Sequence, residues 1–107
     1  MISGGFVMLG AENLGRAVRF YVETMGMKLA RENALFARID AGEGFSFDVV
    51  KGAPVLNAPL SLFARGDLDE TVAIYENRGV VFTREDAQTA RYRFVDTEGN
   101  HLCLTKA

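Results

Sequence analysis

The chain holds one histidine and one cysteine, His101 and Cys103, two residues apart in the closing stretch RYRFVDTEGNHLCLTKA. On a strand, residues two apart project from the same face, so an imidazole and a thiol would stand together there. Two such donors are half of a zinc or iron site, which takes three or four protein groups from His, Cys, Asp and Glu. With no other His or Cys in the sequence, the remaining ligands would be carboxylates such as Asp48, or groups from a second chain. The alternative is a half-buried strand on which Leu102 and Leu104 face a core while His101, Cys103 and Thr105 face away. A thiol in that setting behaves as a small hydrophobe. A single histidine assembles no convincing Ser-His-Asp set. The Gly-rich stretches DAGEGF and ISGGF lack the strand–helix context of a phosphate loop and read as turns.

Length and charge narrow the classes. At 107 residues the chain is expected to be one domain, large enough to bury roughly two-thirds of its unfolded surface. The net charge is -2, and aromatic residues do not interleave with Lys/Arg runs, so nucleic acid is not an expected partner. No apolar run approaches the ~20 residues of a membrane span. The start MISGGFVML lacks the positive charge of a signal peptide. A lone cysteine suits a reducing compartment, so the expected location is cytoplasmic.

The chain also repeats itself. NLGRAVRFYVETMGMKLARE (13–32) echoes DLDETVAIYENRGVVFTRE (67–85), with Leu14, Val18 and Tyr21 matching Leu68, Val72 and Tyr75 at one offset. Asn13 and Asp67 are N-cap residues, Glu70 completes a capping-box pattern with Asp67, and Gly26 and Gly79 close the two helices. Leu14, Ala17, Val18, Tyr21 and Met25 form an apolar stripe at helical spacing. An apolar strand precedes each helix, and three short strands follow it, near 27–32, 35–40 and 45–50, then 80–84, 90–95 and 101–105. The fold class is therefore α+β: two βαβββ modules in tandem, 1–52 and 58–107, joined by KGAPVLNAP, each a curved mixed sheet with one helix on its outer face. One sheet face stays free to curve around something. The charged run TREDAQTAR reads as a solvated turn.

This order, with its particular words, resembles the vicinal oxygen chelate superfamily, which includes glyoxalase I, bleomycin resistance proteins, fosfomycin resistance enzymes and extradiol dioxygenases. ENLGRAVRFYVETMGMKL is similar to the superfamily's D-L-x-x-x-x-x-F-Y-x-x-x-L-G-F helix, with Asn13 for Asp and Met25 for Leu. GDLDETVAIYENRGVVF resembles the helix of the second module. RFVDTEGNHLCLT resembles the closing D-P-D-G-N-x-I-E-L hairpin, with Thr97 for Pro and Cys103 for Glu. The resemblance implies metal ligands at the positions of Phe6, Leu60 and Cys103, with a fourth on FSFDVV, where Asp48 is the only plausible ligand. Phe6 and Leu60 have no donor atom.

Those losses point to an apolar ligand pocket with no metal and no other cofactor, lined by Phe6, Met8, Leu60, Leu62 and Cys103. On FSFDVV either Phe45 and Phe47 or Ser46 and Asp48 turn inward; the aromatic pair is the expected one. Arg93, with Arg91, would hold a carboxylate or phosphate if it faces inward, and is a solvated outer-strand residue if it does not. The implied function is a metal-free protein of the bleomycin-resistance type that sequesters a hydrophobic or aromatic small molecule, with two chains forming a homodimer. A second reading is a lyase or dioxygenase whose divalent metal sits on non-standard ligands, Cys103, Asp48 or His101, and acts as a Lewis acid on vicinal oxygens. A third is a module whose free sheet face is simply a dimer interface.

Overall fold

A computed structural model describes residues 1–86 and 90–107. The chain divides into two compact units, Met1–Val55 and Leu56–Ala107. In the first, β1 (Met8–Ala11) leads through the Asn13 cap into α1 (Leu14–Arg19), followed by β2 (Lys28–Glu32), β3 (Phe36–Gly42) and β4 (Phe45–Lys51). In the second, β5 (Leu60–Ala64) is followed by α2 (Leu68–Asn77), β6 (Thr83–Asp86), β7 (Arg91–Val95) and β8 (His101–Lys106). Each sheet is mixed, ordered β1-β4-β3-β2 and β5-β8-β7-β6, with β1–β4 and β5–β8 parallel and the other pairs antiparallel. The tandem βαβββ order expected from the repeat is present. TREDAQTAR is not all turn: Thr83–Asp86 forms β6, and residues 87–89 of that run lie outside the described ones.

The helices begin where the sequence caps them. The Asn13 side chain accepts the Arg16 backbone N–H at 2.9 Å, and the Asp67 side chain accepts that of Glu70 at 3.0 Å. Past Arg19 the first helix widens into a π turn over Phe20–Thr24. That extra width places Phe20 and Tyr21, neighbours in sequence, both in the core. Tyr21 packs edge-on against Phe20 and Phe47, with ring centroids 5.2 and 5.1 Å away. Leu9, Ala37, Ile39 and Val49 complete the helix-bearing side of the first sheet, and all four are fully buried. In the second unit Leu62, Phe94, Leu102 and Leu104 do the same, buried together with Leu68 and Val72 of α2.

The stretch 51–59, read as a linker, is tied down at both ends. Gly52 N–H donates to the Ala11 carbonyl at 2.9 Å, and His101 N–H donates to the Leu56 carbonyl at 2.8 Å. No helix among the described residues is long and apolar enough to cross a membrane.

Candidate functional site

Residues that pair across a ladder share a face, so register decides which side chains the open side of each sheet carries. In the first unit Met8 pairs with Asp48 and Asp48 with Arg38, which sets all three on the face opposite Leu9, Val49 and Ala37. Asp48 is buried on this face because Arg38 covers it. Arg38 Nε donates to Asp48 Oδ1 at 2.8 Å and Nη2 to Oδ2 at 3.1 Å, a bidentate fork. The hydrogen bonds to Asp48, and then its charge, hold the guanidinium above its ordinary pKa. The Phe36 ring supports Arg38 from 6.0 Å and Arg31 from 5.9 Å. Val7 carbonyl accepts the Asp48 N–H at 3.0 Å, extending the parallel ladder one residue ahead of β1 towards Phe6. Phe6 and Met8 remain exposed, Phe6 by 66%.

Strand β4 settles the choice left open on FSFDVV, against the aromatic pair. Phe47 lies under the first helix against Tyr21, and the Phe45 ring sits 6.2 Å from that of Phe47. It is Asp48, with Ser46 and Val50, that the ladder assigns to the open face.

In the second unit Ser61 pairs with Cys103 and Cys103 with Arg93, while Val95 pairs with His101 and Phe63 with Thr105. Leu60 and Leu62 pair with Leu102 and Leu104 on the other face. That face belongs to α2: Tyr92, paired with Leu104, donates its hydroxyl to Asp69 of α2 at 2.8 Å. The expectation that Leu60 and Leu62 line the open face is therefore corrected to Ser61 and Phe63. One residue causes the slip. Glu12 alone separates Ala11 from its cap Asn13, whereas Arg65 and Gly66 separate Ala64 from Asp67. Gly66 takes the extra residue at φ 81°, which a residue bearing a Cβ adopts reluctantly. Counting back from the cap thus lands one position off, and in a strand one position exchanges the faces. The structural counterpart of Phe6 in the second unit is Pro59.

Cys103 and His101 do share the open face, as the spacing predicts, but not as two available donors. Cys103 is fully buried, and Arg91 Nε approaches its sulfur at 3.2 Å. Arg91 also pairs with Glu85 at 3.0 Å; Arg93 reaches the same carboxylate at 3.5 Å. The contact with Cys103, followed by the charge of Glu85, raises the Arg91 pKa. Among the described residues no three His, Cys, Asp or Glu side chains gather as a metal requires. Of the four positions that the resemblance assigns to a metal, Phe6 has no donor atom, Leu60 has none and faces α2 while Pro59 in its place on the open face has none either, Cys103 lies beneath a guanidinium and Asp48 is forked by another. These side chains do not fit the group.

Two groups that the sequence reading did not single out organise these faces. Arg38 is one; its partner Asp48 is ten residues away, so no local signal marks it. The other is Asn100 with Asp96, in the turn that opens β8. Asn100 Oδ1 accepts Leu56 N–H at 2.7 Å and Nδ2 donates to Asp96 Oδ2 at 2.8 Å. The Asp and Asn of the D-x-x-G-N hairpin were the available signal. An open pocket of about 500 Å³ also lies beside the start of α1, lined by Glu12, Asn13, Arg16, Ala34 and Lys51 among others, none of them an expected site residue.

No family model matches the sequence, and no curated protein sequence is significantly similar to it. Solved structures do match. The bleomycin-binding protein of bleomycin-producing Streptomyces verticillus, in complex with copper(II)-bleomycin, superposes with a TM-score of 0.79 at 16% identity, over 100% of this chain and 98% of that one. An antibiotic-binding protein from Streptomyces sp. CB03234 gives 0.71 at 22% identity, over 99% and 98%. A member of the glyoxalase/bleomycin resistance protein/dioxygenase superfamily from Sphaerobacter thermophilus DSM 20745 gives 0.73 at 23% identity, over 100% of both chains. The chain has the glyoxalase/bleomycin resistance fold, the α+β tandem of βαβββ modules. The likeness read from its sequence is matched by solved structures of that superfamily.

Proposed function

We propose that this chain is a metal-free binding protein that sequesters a hydrophobic or aromatic small molecule, an antibiotic being one such class, on its open sheet faces without chemical conversion. The carrying observation is the fate of the positions where the resemblance implies metal ligands: a phenyl ring at Phe6, a carboxylate held in a fork by Arg38, and a thiol covered by Arg91. Apolar groups left exposed on those faces, Phe6 and Met8 in one unit and Phe63 and Val95 in the other, supply the surface a greasy ligand would cover. Each Å² of apolar surface so removed from water contributes roughly 25 cal/mol. The reading extends to a homodimer in the cytoplasm.

Elemental analysis of the purified, dialysed protein tests it. The proposal expects trace metal only. One tightly held transition metal per chain would overturn it, and loss of that metal in Cys103→Ala would assign the coordination. In sedimentation velocity the dimer predicts twice the 11.7 kDa of one chain; a single species at 11.7 kDa would remove the dimer from the proposal.

A further inference from the structure

The two units can be compared position by position, because their ladders match. Met8, Asp48 and Arg38 lie side by side across β1, β4 and β3; Ser61, Cys103 and Arg93 lie side by side across β5, β8 and β7. In the first unit the arginine meets a carboxylate directly across the ladder and grips it with two hydrogen bonds. In the second, a thiol stands where that carboxylate stands. Its sulfur is taken by Arg91, which also pairs with Glu85. Arg93 leans to the same Glu85 at 3.5 Å, well beyond the 2.8 and 3.1 Å of the Arg38–Asp48 fork. Two guanidinium groups therefore share one carboxylate on this face, and the one opposite Cys103 is the weakly engaged of the two.

We infer that Arg93 is an oxyanion-binding residue whose partner is the carboxylate of the bound small molecule, taking the role that Asp48 plays for Arg38. This rests on the small-molecule reading above and gives the ligand a class: an aromatic or otherwise apolar carboxylate. The apolar remainder of the ligand has its surface on the same face. Phe63 is 75% exposed on β5, two strands across and two residues along from Arg93 and so about 12 Å from it, and Val95 lies exposed on β7 beside His101. Planar guanidinium donors hold a carboxylate bidentately, which fixes the orientation of the molecule as well as adding affinity.

Calorimetric titration with 2-naphthoate and with its uncharged analogue 2-naphthamide tests the oxyanion role of Arg93 separately from small-molecule binding itself. The parent protein binds both probes, and the carboxylate more tightly. Arg93→Gln weakens 2-naphthoate by about tenfold, the worth of one charge-assisted hydrogen bond, and leaves 2-naphthamide unchanged. Cys103→Asp has the same selective effect, because a carboxylate there, against Arg91 and opposite Arg93, supplies internally the anion that the ligand would otherwise bring. If both probes bind the parent and Arg93→Gln leaves 2-naphthoate unaffected, the oxyanion role falls while the small-molecule reading stands. If neither probe binds the parent, both fall. Cys103 is buried, so an unfolded circular dichroism spectrum would disqualify its variant; the half-exposed Arg93 then carries the test alone.

Discussion

Replacing Asn100 with alanine will lower the stability of the fold by about 3 kcal/mol, the cost of leaving two hydrogen-bonding groups away from bulk water unmatched. Asn100 is fully buried in the turn before β8 and joins three parts of the second unit. Its side-chain oxygen accepts from Leu56, the first residue of the unit, and its amide donates to Asp96. Asp96 in turn accepts the backbone N–H groups of Glu98 at 2.8 Å and Asn100 at 2.9 Å through its other oxygen. Alanine keeps the backbone bonds but strips the acceptor from Leu56 and a donor from a nearly buried carboxylate. For a chain of this length the loss corresponds to a fall in Tm of about 15 °C, read by circular dichroism. Asn100→Asp is the informative companion. It retains an acceptor for Leu56 but replaces the amide donor with a second carboxylate set against Asp96, so it will be destabilised as well. A Tm for Asn100→Ala within about 2 °C of the parent, less than 1 kcal/mol for a domain of this size, would contradict this role.

Gly10→Ala will cost a comparable amount, about 3 kcal/mol, for a steric reason. Gly10 lies on β1 on the open face of the first unit, between Leu9 and Ala11, which are buried under the helix. The Ala53–Pro54 backbone crosses directly above it. A Cβ at Gly10 would overlap the Ala53 carbonyl oxygen and come within 2.5 Å of that of Pro54. Backbone cannot step aside as a flexible side chain does. This segment is moreover held by the bonds from Gly52 to Ala11 and from Ala53, at 3.3 Å, to Val50. Chemical denaturation will show a lower midpoint, and amide exchange at Gly52 and Ala53 will accelerate. An unchanged midpoint would mean that the crossing segment does not press on β1.

Much of this architecture was legible in the chain, because each element carries its own local signal. Asn13 and Asp67 cap helices as their side chains dictate, and of the matching Leu68, Val72 and Tyr75 on the second helix the first two are buried and Tyr75 half-buried. The expected strand positions fall within a few residues of those observed. What was not legible depends on partners distant in sequence. FSFDVV has one apolar face, Phe45, Phe47 and Val49, which fits either an apolar pocket or a core, and only pairing with Met8 and Arg38 turns Asp48 to the open side. Leu60 and Leu62 look like the repeat of Phe6 and Met8 until the extra residue at Arg65–Gly66 is counted, and that count needs the ladder. The apolar stripe of the first helix includes Tyr21 but omits Phe20, since helical periodicity does not anticipate a π turn that buries neighbours. His101 and Cys103 share a face as their spacing requires, yet spacing alone does not show that Arg91 covers the sulfur.

On the proposed function the open sheet faces, and not the helix-bearing ones, hold an organic ligand. Methyl-resolved NMR during titration with 2-naphthamide tests it most directly. The methyl groups of Met8, Val50 and Val95 report the open faces, and those of Leu9, Val49, Leu62 and Leu102 report the faces packed under the helices. We predict saturable shifts in the first set, with the second set still. Shifts confined to the second set, or none in either at millimolar probe, would contradict the claim.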